Sequence, residues 1–414
     1  MSESTTLLTN IGQLAYPNRS QGATRDPISV LKHGEILFQE GKILWFGQHK
    51  DRPSGITIDK THNLGGRCVI PGLIDSHTHL VFAENRINDM ALRAQGETYE
   101  TIAKSGGGIR TTVRSVEKSS EQDLVEATIG RLNQLSSRGV TTVEIKSGYG
   151  LSPELELKML RVINSLKHKV PQRIFATALA HVIPKDKLED RPSYIKAFIE
   201  DVLVAAQKQN LISFCDVFVE QTAFSQKETQ EICQKASALG LGIKLHVDQL
   251  SDGGGANLAA SLNALSADHL EHTSLPGRKA LANAGTIATI LPGCRLFLGH
   301  GPWPDGRAFR DAGCEVAIAT DANPGSSMIL DLTLCAHMAI TQCGLSFEEA
   351  LWGITMGGAK ALRLSDRGTI ASGLLADFVV IDHHDWRSVF YQPGTPPISS
   401  VWIGGKKLER ESNI

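Results

Sequence analysis

With 414 residues, 41% of them hydrophobic, the chain has apolar material for one large barrel-sized core plus a smaller domain, or for two ordinary domains. Its formal net charge of -2 and lack of long basic runs exclude an electrostatic case for nucleic acid or an anionic membrane surface. Seven scattered cysteines without a Cys-x-x-Cys pair, a start without a signal-peptide pattern and the lack of any long apolar run together predict a soluble protein of a reducing cytoplasm, not a secreted disulfide framework or a membrane span.

In chain order, Glu35-Ile-Leu-Phe38 and Ile43-Leu-Trp-Phe46 are β-prone runs around a glycine-containing turn and predict a hairpin. Nothing helical of any length is expected before Val69. At the other end, Asp377-Phe-Val-Val-Ile-Asp382 and Ser400-Val-Trp-Ile403 again read as strands, so the two termini are expected to pair into one small β domain, residues 1–68 plus 366–414.

Residues 69–365 alternate strands and helices, the pattern of a parallel α/β core. Apolar runs fall at Val69–Ile74, Val140–Ile145, Arg173–Leu179, Cys215–Val219, Gly242–Val247, Asn263–Ala267, Thr286–Leu291 and Val316–Thr320. Helices are expected over Pro153–Leu166, with Ser152 as its cap, and over Tyr194–Lys208, Gln226–Leu239 and Met328–Thr341. Eight strands alternating with helices favour a (β/α)8 barrel over a doubly wound sheet. A long insertion, Val81 to Gly139, carries Ser105-Gly-Gly-Gly108; with no Lys-Ser/Thr after it, this run is expected in a mobile lid and not in a phosphate loop.

The run Val69-Ile-Pro-Gly-Leu-Ile-Asp75-Ser-His77-Thr-His79 ends in two histidines whose side chains, two apart in an extended chain, point together. That geometry suits a divalent metal, with Asp75 placed to accept from a histidine's other nitrogen. Taken alone, such a pair is more often two surface histidines at a strand end. The other predicted strands also end in polar residues: Lys146, His181, Glu220, His246, His269 and Asp321. The C-terminal strand ends are where a barrel of this kind collects its chemistry, which favours the metal reading.

Pro71-Gly-Leu-Ile-Asp-Ser-His-Thr-His79, His246, His269, Thr320-Asp321 and the Gly373-Leu-Leu-Ala-Asp377 run resemble the amidohydrolase superfamily, which joins a distorted (β/α)8 TIM-type barrel to a small β-sandwich built from both chain termini. More narrowly, Val143-Glu-Ile-Lys-Ser-Gly-Tyr-Gly150, Lys244-Leu-His-Val-Asp-Gln249, Ser266-Ala-Asp-His-Leu270 and Thr320-Asp-Ala-Asn-Pro-Gly-Ser326 resemble the imidazolonepropionase family of histidine degradation.

The resemblance implies one metal ion per subunit, zinc or iron, on His77, His79, His246 and Asp321. It also implies substrate or product contacts from Arg86, Tyr149, His181, Gln249, Asn323, Gly325 and Ser326, and a homodimer. The implied reaction is hydrolysis of the cyclic amide of 4-imidazolone-5-propanoate to N-formimidoyl-L-glutamate. His269 or Asp321 would move the proton and His181 would polarise the carbonyl. Gln249 departs from relatives with Glu there; a neutral amide cannot be the base and would position substrate. Lys146, a residue some amidohydrolases carboxylate to bridge two metals, is expected in the Tyr149 loop, with a mononuclear site, and Glu220 in an orienting role. A nucleobase deaminase on the same ligand set, or a non-catalytic scaffold, are the alternatives.

Overall fold

The computed structural model describes residues 4–18, 27–97, 101 and 106–409. Five strands come first: β1 (Thr6–Pro17), β2 (Ile28–Gln39), β3 (Lys42–Gln48), β4 (Lys60–Asn63) and β5 (Cys68–Pro71). The barrel strands follow as β6 (Leu73–Asp75), β7 (Val140–Lys146), β8 (Arg173–Ala180), β9 (Phe214–Val219), β10 (Gly242–Val247), β11 (Ser266–His269), β12 (Ile287–Ile290) and β13 (Val316–Ile318). The chain closes with β14 (Phe378–Ile381), β15 (Ile398–Ile403) and β16 (Lys406–Lys407).

The terminal strands form one sheet in the order β16-β15-β14-β5-β1-β2-β3, with β4 beside β1. β2 and β3 are the expected hairpin, Gln39 opposite Lys42, while β1 and β4 were not anticipated. Leu8, Ile11, Leu14, Ile36, Phe378 and Trp402 build a core of their own here. One carboxylate joins this sheet to the barrel: Asp377, just before β14, accepts from Arg173 of β8 at 2.9 and 3.1 Å.

β6 to β13 lie side by side in chain order, all parallel. The circle closes just beyond the strand ends, where Thr78 bridges Ala322, the His79 amide donates to the Ala322 carbonyl at 2.9 Å and the Asp321 amide to the His77 carbonyl at 3.0 Å. Lower in the barrel, the helical stretch Gly353–Ala361 fills the gap between β13 and β6. Its glycines allow the approach: a β-carbon on Gly353 would lie 2.9 Å from the Ile318 side chain, and one on Gly358 2.7 Å from the Ile74 carbonyl.

Four expectations need correction. The run Val69–Ile74 is not one strand, because the chain passes from the terminal sheet to the barrel at Gly72, and Val69–Pro71 belong to the former. The sixth barrel strand starts at Ser266; Asn263, in the left-handed region at φ 50°, still closes the preceding helix, so His269 is the strand's last residue. The helix expected from Met328 starts at Leu332, where Asp331 caps it by accepting from the Thr333 and Leu334 amides. The span Val81–Gly139 is largely helical, over Ile87–Ala94, Ile109–Lys118 and Glu121–Ser137, the last packing Leu132 and Leu135 into the core. Ser105 of the glycine run lies outside the described residues; Gly108 donates its amide to Asp89 at 2.8 Å.

Candidate metal centre

Closure of the barrel sets His77 and His79, just past β6, against Asp321, just past β13, while β10 carries His246 in from the opposite wall. Three imidazole nitrogens converge: Nε2 of His79 is 3.3 Å from Nε2 of His77 and 3.4 Å from Nε2 of His246. Asp321 Oδ1 lies 3.2 Å from His79 Nε2 and 3.5 Å from His77 Nε2. His269 reaches the same point, grouped with His77 and His246. Asp321 and His269 hold φ of 50° and 81°, conformations that non-glycine residues adopt at a cost and that here aim both side chains inward.

These donors fit one metal ion. Burial lowers the pKa of His77, and of His246 to about 3, so both rings are neutral and carry lone pairs. Asp321 Oδ1, fully buried, has no hydrogen-bond donor among the described residues. Burial would raise the Asp321 pKa, but the facing imidazoles hold it well below the usual carboxylate range. Separations of 3.2 to 3.5 Å match the roughly 3.4 Å edge of a tetrahedron with bonds of about 2.1 Å.

The carboxylates behind the histidines are not the one expected. Asp75 accepts from the Thr320 amide at 3.1 Å and its hydroxyl at 2.6 Å, tying the first strand to the last, and touches neither imidazole. Instead Asp268 Oδ2 accepts from His77 Nδ1 at 2.7 Å and Asp216 Oδ1 from His246 Nδ1 at 3.0 Å, which turns each Nε2 toward the centre. Lys146 is the last residue of β7 and not part of a loop; it is fully buried with Nζ 2.8 Å from both Glu144 and Asp216. Burial alone would lower its pKa, yet the carboxylates raise it, so it is an ammonium. A carboxylated form would set a fourth anion among three, which favours the mononuclear reading.

Beside this centre, Arg86 donates Nε to Thr112 Oγ1 at 2.8 Å, and among the described residues no carboxylate pairs with its guanidinium. The Tyr149 ring lies 5.9 Å below it, in a loop whose amides at Gly148, Gly150 and Leu151 all donate to Glu156. His181, half-buried, stacks on His79 with centroids 5.8 Å apart. Its Nδ1 is 3.1 Å from the Gly148 carbonyl, which can only accept, so the proton sits on Nδ1. Burial and the neighbouring imidazoles push its pKa down to about 3, leaving Nε2 a bare acceptor unable to donate to a carbonyl. Gln249, past β10, gives its own carbonyl to Arg295 at 3.3 Å. Glu220 accepts from the Leu250 amide and the Ser251 hydroxyl and so shapes that same loop.

Residues 107–406 match the model of the amidohydrolase family. Over the whole chain, an imidazolonepropionase of Deinococcus deserti is 41% identical, across 97% of this chain and 99% of its own length; one from Agrobacterium fabrum is 43% identical, across 92% of each. The chain belongs to the imidazolonepropionase family of amidohydrolases. Solved structures repeat the fold at low identity: a zinc-bound adenosine deaminase from Xanthomonas campestris (TM-score 0.68, 17% identity, covering 97% of this chain and 92% of that one) and the ochratoxinase of A. niger (TM-score 0.69, 16%, 98% and 96%).

The Asn323–Ser326 loop, assigned to substrate by resemblance, is bonded largely to itself. Asn323 donates to the Asp321 carbonyl at 2.6 Å and to Ser326 Oγ at 2.9 Å, and accepts from the amides of Gly325 and Ser326. Its amide therefore folds the loop. Gly325 leaves the space that an Arg86 nitrogen occupies, since a β-carbon there would collide with Nη1.

Sequence reasoning missed Asp216, Asp268, Glu144, Lys244, Glu271 and Cys294. Cys294 donates its thiol to Asp321 Oδ2 at 2.7 Å, and Glu271 Oε1 lies 3.5 Å from His269 Nδ1. The signal for three of them was available: Glu144/Lys146, Lys244/His246 and Ser266/Asp268 alternate polar with apolar residues inside strands expected to be buried on both faces. Cys294 gave no such signal.

Proposed function

We propose that this protein hydrolyses the cyclic amide of 4-imidazolone-5-propanoate to N-formimidoyl-L-glutamate, using one zinc or iron ion held by His77, His79, His246 and Asp321. The observation that carries the reading is the guanidinium of Arg86, which no carboxylate among the described residues pairs, beside the His/Asp cluster, in a chain 41% identical to an imidazolonepropionase over nearly its full length. When bound, the ion supplies Lewis acidity at the lactam carbonyl and a water whose pKa falls from 15.7 toward about 7.

Arg86 binds the propanoate through its two outer nitrogens, a planar fork matched to a carboxylate. Tyr149 supports the same tail. His181 accepts from a ring N–H through Nε2, a change from the donor role expected of it, and Gln249, with the backbone of Gly325 and Ser326, orients the ring. His269 moves the proton: Asp321 has Oδ1 turned to two imidazoles and Oδ2 engaged by Cys294, whereas His269 has Glu271 behind it. Burial would lower the His269 pKa but Glu271 raises it, suiting a ring that takes a proton and returns it to the leaving nitrogen. Water adds to the carbonyl carbon, the ring C–N bond breaks, and that nitrogen leaves as the imine of the formimidoyl group.

Seven unpaired, buried cysteines support a reducing cytoplasm, and no described helix is long and apolar enough to cross a membrane. A homodimer is carried on family resemblance and is read by light scattering. The test of function compares turnover of imidazolonepropanoate, cytosine and guanine by metal-loaded protein. Turnover of the first alone is expected; deamination of a nucleobase with no action on the imidazolone would replace this reading with the deaminase.

A further inference from the structure

Beneath the candidate metal centre the barrel interior is charged where an apolar filling is the norm for this architecture. Lys146, Glu144, Asp216, Lys244 and Asp268 are each 0% exposed. Lys146 Nζ lies 2.8 Å from Glu144 Oε1, 2.8 Å from Asp216 Oδ2 and 3.9 Å from Asp268 Oδ2. Each of these carboxylates touches a different part of the ligand set. Asp216 accepts from the His246 ring and its amide, at 3.0 and 3.2 Å. Asp268 accepts from the His77 ring at 2.7 Å. Glu144 accepts from the amide of Thr78, the residue between His77 and His79, at 3.3 Å, and the Lys146 amide donates to the Thr78 carbonyl at 2.9 Å.

We infer that Lys146 is a positioning residue: a single buried ammonium that, through three carboxylates on three strands, fixes the orientation of His77 and His246 and the path of the His77–His79 segment. The inference rests on the metal reading given above. Lys146 does not reach the converging nitrogens, so its effect passes through Asp216, Asp268 and Glu144. Lys244 cannot replace it. Its Nζ is spent on Ser266 Oγ at 2.6 Å and stands 3.5 Å from Asp268 alone. Without the Lys146 cation, Glu144 and Asp216 have no ammonium within 4 Å among the described residues, and the three carboxylates repel one another in a dry interior and move apart. A displaced Asp216 or Asp268 no longer holds the Nδ1 edge of its histidine, and Nε2 is no longer delivered to the centre.

The test uses the full chain stripped of metal, with zinc as the probe and a chromophoric chelator as competitor, beside thermal unfolding with and without zinc. Lys146→Met is expected to weaken zinc binding by roughly 10–100-fold, the range found when a partner of a metal-ligating histidine is removed. A purely structural lysine would lower the Tm of the stripped and loaded proteins alike; a positioning lysine also shrinks the rise in Tm that zinc produces. Where Lys146→Met fails to fold, Glu144→Gln/Lys146→Met decides, because it removes one anion with the cation. That double variant is expected to recover the stripped-protein Tm without recovering zinc affinity. Zinc binding within about twofold of wild type in either folded variant overturns the inference. Wild-type protein that binds neither zinc nor iron overturns the metal reading and this inference together, an outcome distinct from tight wild-type binding with an unaffected variant.

Discussion

Gly325 stands where it does because Arg86 fills the space a side chain would need: a β-carbon at Gly325 would collide with the guanidinium Nη1. Thr112, fully buried, holds the other edge of the same guanidinium through Nε at 2.8 Å. The cation is thus held between a hydroxyl and a bare backbone with its outer nitrogens free to meet a carboxylate. Arg86→Ala is expected to cost roughly 2–5 kcal/mol in kcat/KM on imidazolonepropanoate, chiefly through KM, because the tail is held equally before and during reaction. Gly325→Ala should act in the same direction by displacing the guanidinium. Kinetics on an analogue lacking the carboxylate check the assignment: both variants should match wild type there, and an equal loss on both substrates would remove Arg86 from tail recognition.

Ligand and base variants should separate. Asp321→Asn and His246→Ala are expected to lose metal and turnover together, since each removes a donor. His269→Ala is expected to keep metal and lose on the order of 10²–10⁴-fold in rate, the usual contribution of general acid–base catalysis. Elemental analysis beside kcat distinguishes the two behaviours; wholesale loss of metal from His269→Ala would make His269 a ligand.

Acid should destabilise the metal-stripped protein in a defined window. His246 and His181 have folded-state pKa values of about 3, well below the ordinary histidine value of 6.5. Between those values the unfolded chain binds more protons than the folded one, so stability falls as pH drops from 6.5 toward 3 and is fully present above 6.5. Asp75 acts with the opposite sign, because burial raises its pKa to about 7 and the folded state then holds the extra proton between pH 3.8 and 7. Burial raises Glu156, Asp248 and Asp377 in the same sense as Asp75, so the share of the two histidines is read from variants: it is a decline of the urea midpoint on acidification. His181→Gln should flatten part of that slope; an unchanged slope would mean that His181 takes up no proton differently on unfolding.

The barrel was legible because strand-length apolar runs recur with helical stretches between them, and all eight strands are present near their expected places. Two kinds of feature were not. Asp75 looked like a histidine's partner because it is near in sequence, whereas Asp268, 191 residues from His77, reaches it only after the barrel closes. Asn323 and Ser326 were assigned to substrate by resemblance, while the hydrogen bonds between them were hidden in a short loop whose conformation no periodicity reports. The break of Val69–Ile74 into strands of two sheets was hidden for the same reason, since both halves are apolar and buried.

The seam between the last and first strands should be intolerant of volume. Gly358→Ala places a methyl 2.7 Å from the Ile74 carbonyl, next to the segment that leads to His77 and His79. A loss of roughly 1–3 kcal/mol is expected from such overpacking, read from urea unfolding. Stability equal to wild type would show that the helical stretch can move away from β6 at no cost.

The most direct test is the product formed in isotopically labelled water. Metal-loaded protein should convert imidazolonepropanoate to N-formimidoyl-L-glutamate carrying one labelled oxygen in the newly made carboxylate, with turnover abolished by chelation and restored by zinc or iron. Ammonia release with the ring intact, or ring opening that proceeds undiminished after the metal is stripped, would contradict hydrolysis at a His77/His79/His246/Asp321 centre.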